Sequence, residues 1–377
     1  VRAFGWVSFL TDAGTEMIYP LLPSFLTGTL KAGPAFLGLV EGIAEAVASV
    51  LKVVSGRLSD RRRRLPLVAG GYGVSTLVRP LLAAASQPWH VLLIRAVDRF
   101  GKGVRGAPRD ALVAEVTTPG MRGRAYGFHR AMDNAGAMVG PVLATLLLAG
   151  GASLRAVFAA SLVPGLLSLA TLLLAVREEP RAGAAAARTA EGDGLDRGLV
   201  LYLLALALFT LGNSADAFLL LRAQDAGVSL AAVPLLWTLH NGVRAAAGTW
   251  GGALSDRLGR KRTIVLGWTI YALAYAGFAA ATGPAQAWAL FAVYGLFHAL
   301  TEGPERALVA ALAGEGSRGR AFGWYHAVTG AMLLPASLLT GALWQRFGAP
   351  VALLTGAGLA AAGALVLTAL VPEERAA

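Results

Sequence analysis

The chain has 377 residues, 56% of them hydrophobic and 15% charged, with a mean hydropathy of +0.60 and a formal net charge of +11. A soluble domain carries roughly 25% charged residues, so this composition excludes an aqueous fold and requires a bilayer as solvent. The absence of cysteine excludes disulfides, thiolate metal sites and cysteine nucleophiles, and the basic excess, lying in short clusters between apolar segments, encodes membrane topology and no nucleic-acid surface.

A spanning helix needs about 20 mostly apolar residues, and the apolar runs between Gly, Pro and charge punctuation predict twelve of them. The first six cover roughly 4–28, 35–57, 66–86, 89–116, 123–149 and 153–176. The first carries Asp12 and Glu16 and lacks a small-residue cleavage site, so it is read as a span and not as a signal peptide. Residues 177–198, alanine-rich and then rich in Glu, Asp and Gly, predict a solvated linker. The second six cover roughly 199–222, 229–255, 263–282, 286–312, 321–345 and 349–371. The expected fold is an all-α polytopic membrane protein of twelve transmembrane helices, with bundles at 1–176 and 199–377 joined by the 177–198 linker.

Alternate loops are unequal in charge. Connections 2–3, 4–5, 6–7, 8–9 and 10–11 hold 17 Lys/Arg, among them Arg61 to Arg64, Arg122, Arg124, Arg257 and Arg260. The opposite side holds four: Lys31, Arg155, Arg222 and Arg346. Positive residues stay in the cytoplasm, so both termini and the linker are expected inside, with the chain in the inner (plasma) membrane.

The two halves repeat each other at an offset of 196 residues. Gly56-Arg-Leu-Ser-Asp-Arg61 returns as Gly252-Ala-Leu-Ser-Asp-Arg257, Pro108 as Pro304, Ala111-Leu-Val-Ala114 as Ala307-Leu-Val-Ala310, and Arg122-Gly-Arg-Ala125 as Arg318-Gly-Arg-Ala321. In spans one and seven a shift of 200 aligns Glu16 with Asp216. Two parallel copies of one hydrophobic unit are the signature of pseudo-symmetric six-helix bundles with a substrate site between them.

Charge inside a span costs roughly 2.5–3.5 kcal/mol at the centre and so marks function or a buried ion network. Asp12 and Glu16 share a face of span one, and Glu41 and Glu45 a face of span two. Span four holds Arg95, Asp98, Arg99, Lys102, Arg105, Arg109 and Asp110; positions 95, 98, 102, 105 and 109 follow helical spacing and line one face. His129, Arg130 and Asp133 lie on span five. Glu16, Glu45, Lys102 and Asp133 fall near the bilayer centre, where a carboxylate is neutral or ion-paired according to access. Proton coupling is therefore expected of Glu16, Asp12, Glu45, Glu41, Asp133, Arg95, Asp98 and Lys102, with Glu16 foremost. In the second half Asn213, Asp216, Trp237, His240, Asn241, Arg244, His298 and Glu302 are the candidate substrate contacts. The histidines lack ligand spacing, so no metal is expected. Gly101-Lys-Gly-Val-Arg-Gly106 spells a dinucleotide fingerprint, but it lies inside an apolar span with no preceding strand, so no nucleotide cofactor is expected either.

These residues resemble the major facilitator superfamily along essentially the whole chain. The loop signature Gly-x-x-x-Asp-Arg-x-Gly-Arg-Lys/Arg is complete in Gly252, Asp256, Arg257, Gly259, Arg260 and Lys261; the first copy has Gly56, Asp60, Arg61 and Arg64, with Arg63 in place of the glycine. The resemblance implies a latch between bundles, with each motif glycine packing its helix on the other half. Gly136, Gly140 and Pro141 on span five look like the signature of drug:proton antiporters, with Ala144 and Thr145 where two glycines are usual. Arg95-x-x-Asp98 is close to the fourth-span pattern of proton-coupled members. The implied function is export of a small organic molecule against inward proton flow by alternating access, in a monomer that is no enzyme. The alternatives are uptake by proton symport, or a receptor on the same fold that no longer transports.

Overall fold

A computed structural model describes residues 2–61, 63–115, 117, 121–176, 178, 196–313 and 317–372. Of the predicted linker, only Glu178 and the run from Asp196 fall among them. The side chains of Asp60 and Arg61, the first latch motif, lie outside the described residues.

The twelve predicted spans are all helical, but four of those expected to be continuous are interrupted. Span one begins as α1 (Arg2–Glu16) and continues as a 3₁₀ turn (Tyr19–Leu21), the single turn α2 (Leu22–Ser24) and a π turn (Phe25–Thr29). Pro20 is the cause: its ring collides with the carbonyl four residues back, at Glu16, where α1 stops. Span two is α3 (Pro34–Arg61); span three is α4 (Arg64–Val78), which tightens to a 3₁₀ segment (Arg79–Ala84) around Pro80. Then follow α5 (Pro88–Glu115) and α6 (Arg122–Ala149). Span six splits into α7 (Leu154–Ala160) and α8 (Leu162–Ala175), again four residues before a proline, Pro164. Span seven splits into α9 (Arg197–Gly212) and α10 (Ala217–Asp225), parted by Asn213, which leaves the helical region with φ −91° and ψ 79°. The rest are α11 (Val233–Leu258), α12 (Arg260–Ala280), α13 (Pro284–Leu312), α14 (Arg318–Phe347) and α15 (Ala349–Leu370). Seven helical stretches among the described residues meet the length and composition of a membrane span, including Leu154–Ala175 and Arg197–Asp225.

The chain forms two compact units. The first comprises Val1–Gly33, Ile43–Ala187 and Ser229–Thr238, the second Pro34–Gly42, Arg188–Val228 and Leu239–Ala377. In the first, α1 packs on α6 and α8, and α4 on α5 and α8. In the second, α9 packs on α14 and α15, and α12 on α13 and α15. These are the same pairings of equivalent spans, the structural counterpart of the sequence repeat. Phe4, Val7, Val68, Tyr72, Leu112 and Leu172 build one core; in the other, Phe209 stacks on Trp268 at 4.4 Å, with Tyr271 edge-on at 5.1 Å.

Among the described residues the motif glycines make no close backbone approach. A side chain at Gly56 would meet Ala107 of α5 at 3.6 Å, and one at Gly252 would meet no described atom within 4 Å. Close backbone approach belongs to other glycines: Gly136 and Gly140 of α6 lie against the Phe9 and Ala13 carbonyls of α1, and Gly38 of α3 against the Ser337 carbonyl of α14. Gly259 sits at φ +88° between α11 and α12, whereas its counterpart Arg63 has φ −58°. The missing glycine of the first copy is thus matched by a different turn.

Candidate functional site

Each unit holds its own group of candidate residues, and in the first unit it is a chain of charges on α5. Arg79, 5% exposed at the end of α4, donates from Nε to Asp98 Oδ1 at 2.9 Å and from Nη1 to the Thr11 carbonyl at 3.3 Å. Arg95 Nη1 lies 3.9 Å from the other Asp98 oxygen, so Asp98 is held between two guanidinium groups. Arg99 pairs with Glu45 at 3.5 Å. Arg105 is buried, donates to Ser75 Oγ at 2.6 Å and lies over the Tyr72 ring, while Arg109 bonds Asp110. The predicted single face is therefore divided. Asp98 and Arg105 are buried against α4 and the 3₁₀ segment after it, Arg95 is buried over the Tyr19 ring, and Lys102 is exposed. Arg79 escaped the sequence reading, although an arginine inside an apolar run is itself a signal.

Glu16 is held differently. It ends α1 at the proline break, and the Trp237 indole N–H donates to its Oε2 at 2.7 Å. Tyr19 packs on the Trp237 ring at 5.2 Å and carries the Arg95 guanidinium 5.6 Å from its centroid. Trp237, expected among the second-half substrate contacts, is thus placed with Glu16 in the first unit. Asp12, one turn earlier, is half-buried. His129 meets Ser8 Oγ at 2.8 Å and Asp133 at 3.5 Å. Glu41 is buried on the segment of α3 that belongs to the second unit.

In the second unit the polar residues gather beside the break in span seven. The Tyr294 hydroxyl donates to Asp216 Oδ1 at 2.6 Å, Tyr271 to the Gly212 carbonyl at 2.9 Å, and Ser214 Oγ meets the Tyr275 hydroxyl at 3.2 Å. Phenols thereby bond a carbonyl and a side chain where the helix ladder is lost. Asn213 is half-buried at that break. His240 stacks on Tyr294 at 5.0 Å and meets His298 edge-on at 5.2 Å. His298 approaches Glu302 at 3.6 Å, and Glu302 is ion-paired with Arg244. Asn241, the residue after His240 on α11, is also buried. One further turn along α13, Glu305 accepts from Trp268 Nε1 at 3.0 Å and from the Tyr325 hydroxyl at 2.9 Å. The sequence reading missed Glu305 and the three tyrosines, because hydropathy does not separate a phenol that bonds from one that packs.

The signature loops dock within their own units. The Glu178 carboxylate accepts from the Arg64 and Leu65 amides at 2.7 and 3.0 Å, capping the positive end of α4. Lys261 Nζ donates to the Thr368 and Val371 carbonyls at the end of α15, at 2.9 and 2.6 Å. Asp256 and Arg257 are exposed.

A family model described as Major Facilitator Superfamily matches residues 4–239 and 195–377. An uncharacterized MFS-type transporter of Methanocaldococcus jannaschii is 34% identical over 92% of this chain and 88% of its own length. Multidrug resistance protein MdtH of Yersinia enterocolitica is 29% identical over 37% of this chain and 35% of its own length. Among solved structures, the nucleoside transporter NupG superposes with a TM-score of 0.82 at 14% identity, covering 98% of each chain.

Proposed function

The chain belongs to the Major Facilitator Superfamily, and from that premise we propose that this membrane transporter exports a small organic molecule in exchange for protons. Alternating access would carry both, with Glu16 as the principal proton carrier. The observation that carries this reading is the setting of Glu16: a carboxylate inside a span, at a helix break, that accepts from a neutral indole N–H and has no ion pair among the described residues. A carboxylate paired with guanidinium is fixed in its charged form by that partner, as Asp98 is by Arg79 and Arg95. One held by a neutral donor changes charge at lower cost when access changes. Asp12, Glu45 and Asp133 in the first unit are the secondary carriers, and Arg79, Arg95 and Asp98 form the frame that positions span one against span four.

The polar wall of the second unit, with Asp216, Tyr294, His240, His298, Arg244 and Glu302, is the proposed substrate contact. Export gains support from the Gly136, Gly140 and Pro141 pattern and from the partial likeness to a protein named for multidrug resistance. The proposed setting is a monomer in the inner membrane, with the arginine-rich loops and both termini in the cytoplasm.

The test uses inverted vesicles, with ethidium as probe and an imposed pH gradient. Wild-type protein concentrates the dye and alkalinises the proton-loaded side; Glu16→Gln abolishes concentration but keeps downhill dye exchange. A Glu16→Gln variant that still concentrates ethidium under the gradient removes Glu16 from the proton path. Dye movement in the direction of proton flow favours symport.

A further inference from the structure

We propose that Glu305 is a second protonation site, which exchanges a proton with the side of the membrane faced by the arginine-rich loops during the transport cycle. The proposal rests on the proton-coupled reading for its place in transport, though not for its existence as a proton-binding group.

Glu305 is 7% exposed in α13, seven residues before that helix ends at Leu312. At a rise of about 1.5 Å per residue it lies roughly 10 Å inside the end of the span. A buried carboxylate at that depth is costly unless partnered. Among the described residues no ion pair reaches it, in contrast to Glu302 one turn earlier, which is bound to Arg244. Its two partners are neutral: Trp268 Nε1 on α12 at Oε1, and the Tyr325 hydroxyl on α14 at Oε2. The other titratable groups around it are Tyr202 on α9 and, on α13 itself, Glu302 and Arg306. Arg306 is exposed, so the surroundings hold one solvated cation and one carboxylate already paired.

The donor inventory shows why this pocket accepts either charge state. Indole N–H only donates, whereas a phenol both donates and accepts. With Glu305 ionised, Oε1 accepts from Trp268 and Oε2 accepts from Tyr325, as observed. When Oε2 gains a proton from water, Trp268 continues to donate to Oε1, the new Oε2–H donates to Tyr325 Oη, and the phenol turns its own hydrogen away. No group is left unsatisfied except the phenolic hydrogen, and Tyr325 is only half-buried, so water can take it. A structural staple would need no such reversible partner. The repeat adds a contrast: the position equivalent to Glu305, at the 196-residue offset, is Arg109, which keeps its charge at any physiological pH. The second copy has a titratable group where the first has a permanent cation.

The test is an infrared pH titration of the purified full chain, with no gradient and no substrate, so that the proton is the only ligand. Acidification should raise the C=O stretch of a buried protonated carboxyl. Glu305→Gln should remove that band, Tyr325→Phe should shift it by deleting its hydrogen-bond acceptor, and Glu16→Gln should leave it in place. In the vesicle assay Glu305→Gln should then lose gradient-driven ethidium concentration. A spectrum unchanged by Glu305→Gln and by Tyr325→Phe overturns the site. Loss of the band with wild-type gradient-driven transport overturns its place in the cycle. If the wild type itself shows no proton-driven transport while the Glu305 band persists, the coupled-export reading fails and the protonation site stands.

Discussion

Two side chains carry most of the chemistry argued from single residues. Asp98 is ion-paired on both carboxylate oxygens and almost fully buried, so Asp98→Asn leaves Arg79 and Arg95 facing each other with no anion between them. Breaking a buried pair by removing one partner costs about 3–5 kcal/mol. Thermal unfolding in detergent should show that loss, and Arg79→Gln added to Asp98→Asn should recover part of it; equal stability of Asp98→Asn and wild type would mean the network holds nothing together. Trp237→Phe keeps the ring against Tyr19 but removes the N–H that reaches Glu16. One lost hydrogen bond of about 1.4 kcal/mol should slow gradient-driven transport by about tenfold with the fold intact. Unchanged transport in that variant would make the contact a packing contact.

At the scale of helices, prolines and glycines divide the work. Pro20 and Pro164 stop α1 and α7 four residues upstream, and the first of these breaks places Glu16 at a helix end. Pro141 sits inside α6 without ending it, and the neighbouring Gly136 and Gly140 bring that helix onto the α1 backbone. Gly140→Val must push the two helices apart, at a cost of about 1–3 kcal/mol. Gly252→Ala should instead be neutral or stabilise by about 0.5–1 kcal/mol, since no described residue comes within 4 Å of the added methyl and alanine favours the helix. Unfolding midpoints of the two variants give the comparison, and a destabilising Gly252→Ala would restore a packing role to the motif glycine. In the loops, Glu178 and Lys261 each cap a helix end of their own unit. For Asp256, exposed in the second motif, the latch stands as a proposal: Asp256→Asn should slow ethidium transport while leaving insertion and stability unchanged.

For the molecule as a whole, the loop charges predict that reporters fused after Arg64, Gly192 and Arg262 lie in the cytoplasm and those near Ser86 and Gly283 outside; a single inverted reporter would break that topology. The class of fold was legible without coordinates. Span length, apolar composition and the 196-residue repeat are local or self-referential properties, and a bilayer leaves helices as the way for these segments to satisfy their backbone. Carboxylates such as Glu16 and Asp98 were equally legible, because each is costly and stands out against an apolar run, whereas Glu305, three residues after Glu302 near a span end, was not. None of their partners was legible. A buried polar group must find a hydrogen bond, yet nothing local says that Glu16 takes its own from Trp237, 221 residues away, that Asp98 takes Arg79, or that Glu305 takes a tryptophan and a tyrosine and no cation. Tertiary packing decided those pairings, and with them which carboxylates are fixed by a permanent charge and which are held by neutral donors.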